Sequence, residues 1–126
     1  MAQNKVFEYA VIRLVPVVER EEFLNIGVVL FCKELDYINV KFHLNVSKIA
    51  VFAPQIELNL LQDYLKSFEN IVLGNEIGGE IATYIPAERF RWLTATRSTI
   101  LQCSKVHPGF CDNPEVKLNQ LFTEFV

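Results

Sequence analysis

The chain has 126 residues and a mass of 14.5 kDa, enough for one hydrophobic core but not two, because roughly two thirds of the open chain's surface can be buried at this size. Apolar residues make up 51% and charged residues 21%, which excludes a disordered chain. The longest apolar run, Ile26 to Cys32, is far short of the roughly 20 residues that a membrane span needs.

Residues 1–126 therefore read as a single domain with no membrane role. Met1 to Lys5 contain no apolar leader, so a cytoplasmic location is expected. The odd count of three cysteines, Cys32, Cys103 and Cys111, argues for reduced thiols rather than a disulfide framework. The formal net charge is -3, but its distribution is uneven. Residues 83–108 hold Arg89, Arg91, Arg97 and Lys105 against Glu88 alone, a local net of +3, which leaves -6 for the rest. An acidic body argues against broad nucleic-acid binding, while the basic segment permits a compact anion site. The bland alternative is that these arginines pair with surface carboxylates.

The elements follow in chain order. Residues 7–15 are short, β-branched and aromatic, and predict a strand ended by Pro16. Residues 23–32 predict a second strand. Residues 37–44 alternate, with Ile38, Val40, Phe42 and Leu44 on one face, and predict a third. An antiparallel meander with Arg13 opposite Asn25, and Gly27 opposite His43, puts Ala10, Ile12, Leu14, Ile26, Val28 and Leu30 on one apolar face. The other face then collects Arg13, Asn25, Gly27 and His43, with Gly27 leaving a gap.

Residues 46–53 suit a short helix capped by Asn45 and stopped before Pro54. Leu61, Tyr64, Leu65, Phe68 and Val72 recur at helical spacing within 55–73, and Gly74 suits the C-cap. Residues 75–80 read as a loop. Residues 86–94 fit a helix opened by Pro86 or an alternating strand equally. Residues 98–103 predict a fourth strand, and His107-Pro108-Gly109 a turn. Asp112 and Glu115 have capping-box spacing before a terminal helix lined by Leu118, Leu121, Phe122 and Phe125. The fold class is α+β: a mainly antiparallel sheet, built from the N-terminal meander and a later strand, with helices packed on one face.

Arg89 to Thr99 combine guanidinium forks, hydroxyls and the indole of Trp92. Arginine binds phosphate or carboxylate through two parallel bonds, although a lone tryptophan is more often core or interface. His107 is the one candidate general acid or base. Arg91, Arg97 and His107 are expected to converge, with Ser98 adding a hydroxyl and Arg13 and Asn25 completing the ligand-binding set. Cys103, His107 and Cys111 are spaced CxxxHxxxC, a set short of the usual four zinc ligands, so no metal is expected. The carboxylates of residues 19–22 read as a hairpin tip. Phosphate-cradling glycine loops and nucleophile elbows are absent, and no cofactor is expected.

Two blocks carry a family resemblance. The first is Arg13-Leu14-Val15-Pro16 followed by Arg20-Glu21-Glu22-Phe23-Leu24-Asn25-Ile26-Gly27-Val28-Val29-Leu30. The second is Arg89-Phe90-Arg91-Trp92-Leu93-Thr94, then Arg97-Ser98-Thr99, then His107-Pro108-Gly109 running into Asp112 and Pro114. Together they resemble the bacterial "domain of unknown function 3037" family over nearly the whole chain, with little contributed by 45–85. The resemblance brings no reaction with it. It implies a partner, a HipA-like serine/threonine kinase, because members of such families often stand beside one. The leading reading is an accessory module that binds a partner protein or a phosphorylated ligand. The alternatives are a small enzyme acting on a phosphate ester or nucleic-acid end, with His107 as acid/base, and a structural subunit of a complex.

Overall fold

A computed structural model describes residues 5–97 and 99–126. The chain forms strands β1 (Lys5–Leu14), β2 (Leu24–Cys32) and β3 (Tyr37–Phe42), helices α1 (Val46–Phe52), α2 (Leu58–Leu73) and α3 (Pro86–Thr94), strands β4 (Leu101–Cys103) and β5 (His107–Cys111), and helix α4 (Pro114–Phe125). All strand pairings are antiparallel, in the order β3-β2-β1-β4. Strand β5 also pairs with β1, so β4 lies along Ile12–Leu14 and β5 along Lys5–Tyr9 of the same edge. This is the expected α+β class with an antiparallel sheet.

The caps explain the helix boundaries. The Asn45 side chain accepts from the Lys48 N–H at 3.1 Å, fixing the start of α1. Gly74 ends α2 in the left-handed region at φ 71°, where glycine avoids the Cβ clash. Residues 86–94 resolve as a helix with Pro86 in its first turn. The N-cap of α4 is Asn113, not Asp112: its side-chain oxygen accepts from Glu115 and Val116 at 3.0 and 3.2 Å. That leaves Pro114 at the first helical position, where its missing N–H costs nothing. His107-Pro108-Gly109 is strand β5 rather than a turn, because Gly109 lies opposite Phe7 and a Cβ there would meet the Phe7 ring at 2.6 Å.

The meander register needs one correction. Arg13 does face Asn25, but Ile12 faces Gly27, so Ile26 bulges out of the β1–β2 ladder. Beyond the bulge every β2 side chain changes face relative to the expected register. Gly27 then pairs with Phe42, not His43. It lies on the same face as Ile12 and Phe42, and a Cβ on it would stand 2.8 Å from both the Phe42 Cβ and the Lys41 carbonyl oxygen. The expected gap beside Arg13 is therefore absent.

Two cores result. Ala10, Ile12, Leu14, Ile26, Val29 and Phe31 pack with Ile49, Leu61, Leu65, Phe68, Phe90 and Leu93 from α1, α2 and α3. Val28, Leu30 and Cys32 turn to the other side and pack with Phe7, Cys111, Leu118 and Leu121. Helix α4 thus departs from the expectation that helices lie on one face. The polar side of β3 becomes its seat: the Lys41 ammonium donates to Asn119 at 2.9 Å and lies 5.0 Å from the Phe122 ring centre.

Gly27→Ala is expected to cost about 1–3 kcal/mol, because the new methyl meets backbone rather than a movable side-chain end. Calorimetry should show a Tm lowered by at least about 4 °C. An unchanged Tm would mean that β2 and β3 do not approach this closely.

Candidate functional site

The basic segment does not form one anion site. Arg91 stands on α3, exposed, with Nη2 2.8 Å from Glu8 Oε2. Arg97 follows α3 and turns back on it: Nη2 donates to the Trp92 carbonyl, and Nη1 to that of Leu93 at 3.5 Å. Its guanidinium lies 4.1 Å from the Trp92 ring centre. Arg97 thus closes the negative end of the helix dipole. Arg89 donates to the Tyr84 carbonyl at 3.1 Å and holds the turn before α3. His107 is on the opposite face of the sheet, paired with Tyr9 and 5.4 Å from its ring, while Tyr9 stacks on Phe125 of α4. The expected convergence of Arg91, Arg97 and His107 is overturned, since two sit on the α3 side and one on the α4 side. Ser98 lies outside the described residues.

Arg13 and Asn25 do sit together, on the α4 face. Arg13 stacks 4.0 Å from the Phe23 ring centre, and Asn25 donates to the Phe125 carbonyl at 3.2 Å. Arg13 Nε and Asn25 Oδ1 are buried without a partner among the described residues. The thiols of CxxxHxxxC do not gather around His107: Cys103 packs against the first core and Cys111 is buried in the second. Burial, and then the neighbouring Cys32, push the Cys111 thiol pKa up.

An apolar concave feature lies elsewhere. A groove of about 570 Å³ runs between α2, the end of α3 and β4. Its floor is Phe68, Ile71, Leu93, Leu101 and Cys103. Its rim is Leu60, Tyr64 and Trp92, which are 42%, 44% and 41% exposed. Arg97 is the only charged residue in its lining among the described residues. Burial pushes the Cys103 thiol up to about 12, against smaller opposing pulls from Arg97 and Arg13. At neutral pH this thiol is therefore protonated, and it contributes an uncharged sulfur to the floor.

Of this site, sequence reasoning singled out Trp92 and Arg97 but missed the α2 wall. Helical spacing puts Tyr64 in the apolar stripe of α2, whereas its side chain stands at the rim. The available signal was Leu60 and Tyr64 as a second apolar ridge four residues apart, more than one buried stripe requires.

One family model matches the chain over residues 9–126, with the description "Protein of unknown function (DUF3037)". The chain belongs to that family. No curated protein and no solved structure matches it.

Two outcomes test this geometry. Arg97→Ala should cost roughly 1–2 kcal/mol in urea titrations, from lost carbonyl contacts, dipole and indole stacking. Arg91→Ala should cost less than about 1 kcal/mol, as expected for an exposed ion pair. Equal losses would contradict the different roles of the two arginines. The second outcome concerns pH. The Cys103 thiol is held above its ordinary value of 9.0 in the folded chain, so folding retains a proton that the unfolded chain releases. Its stabilising effect is complete below about pH 9 and declines as pH rises towards 12. Thermal melts of wild type should fall more steeply over that range than melts of Cys103→Ala, and identical slopes would contradict it.

Proposed function

We propose that this member of the DUF3037 family is a non-catalytic binding module that recognises a partner protein through the groove between α2, α3 and β4. The observation that carries the reading is the contiguous exposure of Leu60, Tyr64 and Trp92 over an apolar floor. Large apolar side chains left open together, rather than scattered singly, mark a surface that is covered in use. Tryptophan, tyrosine and arginine are also the residues that dominate binding energy at protein interfaces, and Trp92, Tyr64 and Arg97 stand together here.

The phosphate-ligand and enzyme readings draw less support. Each drew on the convergence of Arg91, Arg97 and His107, and the two arginines lie on the opposite face of the sheet from the histidine. A HipA-like kinase is the partner implied by the family resemblance, and it is the first protein to test.

The test places a photo-reactive side chain at Tyr64 and, as a control, at Gln120 on the exposed side of α4. Cross-linking in cells should give a Tyr64-specific adduct with one protein. Leu60→Asp, which changes an exposed rim position, should reduce its yield at least tenfold while the far-ultraviolet spectrum stays unchanged. No difference between the two positions, or no effect of Leu60→Asp on a folded protein, would overturn the reading.

A further inference from the structure

The groove borders an edge of the sheet, and the three outer strands β3, β5 and β4 differ in how their outer backbone groups are occupied. On β3, the His43 N–H donates to the Ile26 carbonyl at 2.8 Å. By antiparallel alternation the Val40 N–H then points outward. It is already taken, because the Asn39 side chain accepts from it at 2.8 Å. On β5 the outward positions are Pro108, which has no N–H to offer, and Phe110. Each of these strands places one obstacle in the middle of its edge to the addition of a further strand.

Strand β4 is different. The Val15 N–H donates to the Ile100 carbonyl at 2.7 Å, and the Ser104 N–H to the Val11 carbonyl at 2.8 Å. Gln102 pairs inward with Arg13, so the backbone groups of Leu101 and Cys103 face outward. The Leu101 carbonyl accepts from the Thr99 hydroxyl at 2.6 Å. Its N–H, and both backbone groups of Cys103, have no backbone partner among the described residues.

The side chains of Leu101 and Cys103 line the groove, with Leu60, Tyr64 and Phe68 of α2 across it. A strand added to β4 would lie about 4.8 Å further out and send every second side chain into the groove. We infer that the groove is a vacant strand position, filled when an extended segment of a partner protein adds antiparallel to β4. The inference rests on the partner-binding reading above and specifies its mode.

Charge defines the occupant. Arg97 lines the groove, and Lys105 follows β4 on the surface. Both belong to the segment of net +3 in a chain that is otherwise -6. The segment that fits alternates apolar residues, which enter the groove beside Arg97, with carboxylates, which project from the opposite face of the added strand and are drawn to the basic segment by its longer-range field. A second copy of the chain fits badly. Antiparallel pairing of β4 with itself would bring two +3 segments together, which is repulsive.

The probes are three synthetic seven-residue peptides alternating Glu and Val, capped at both ends. One has an ordinary backbone, one carries N-methyl groups on its valines, and one on its glutamates. In an antiparallel addition the groove-facing residues turn their N–H groups to β4, so only valine methylation blocks pairing. Trp92 is the sole tryptophan, and its emission reports groove occupancy. The ordinary and glutamate-methylated peptides should bind within about threefold of each other and the valine-methylated one at least tenfold more weakly. Hydrogen exchange at the Leu101 and Cys103 amides should slow only with the ordinary and the glutamate-methylated peptides. Equal binding of all three peptides would overturn strand addition and leave the groove reading standing. No binding by any peptide, with a Tyr64-specific cross-link still formed in cells, would also overturn strand addition alone. No binding together with no such cross-link would overturn both.

Discussion

Strand β2 is buried on both sides from Ile26 to Cys32, and that constraint places the other elements. A strand with apolar residues at every position must be covered twice, since each large side chain left in water forfeits about 1.5–3 kcal/mol. Helices α1, α2 and α3 cover one face and α4 covers the other. The bulge at Ile26 adapts the two ends to this arrangement. It lets Asn25 stay beside Arg13 on the α4 face while Ile26 turns into the first core. Gly27 then gives Phe42 room to reach the same core.

The strands, the helix ends and the α+β class were legible in the sequence because each has a local cause: β-branched runs, Asn45 and Gly74 as caps, Pro86 and Pro114 as openers. The face assignment was not, and the reason is specific. Alternation identifies faces only when one face is polar, and β2 has no polar residue between Ile26 and Cys32 to break the tie. The polar side of β3 looked like a solvent face, yet Lys41 and Asn39 lie on the side that α4 covers, with Lys41 bonded to it. The site was harder to read than the fold. Charge counting located a basic segment correctly, but each of its arginines is held by a neighbour that no spacing rule names: Glu8, and the carbonyls of Trp92, Leu93 and Tyr84.

The groove depends on α2 reaching past the last strand beneath it. At Leu61, Leu65 and Val72 the helix meets the sheet. At Leu60 and Tyr64 the same helix faces the space beyond β4. Arg97, tied to the end of α3, keeps Trp92 flat against its guanidinium and so fixes one wall. A cation engaged by carbonyls retains its charge, because these acceptors are neutral. It can therefore brace the helix and attract a carboxylate together. None of the described helices is long and apolar enough to cross a membrane.

The sharing of one β1 edge by β4 and β5 also bears on how the chain is made. The Val11 N–H finds its acceptor in the Ser104 hydroxyl, 93 residues later. On a ribosome adding about 5–20 residues per second, β1 waits roughly 5–20 seconds for that partner. During this time β1 can pair with β2, yet its other edge stays open, with Tyr9, Val11 and Arg13 presenting their backbone groups to whatever strand is nearby. Closure of this edge thus waits until β4 and β5 have been made, after α1, α2 and α3, and until then the edge is open to other strands.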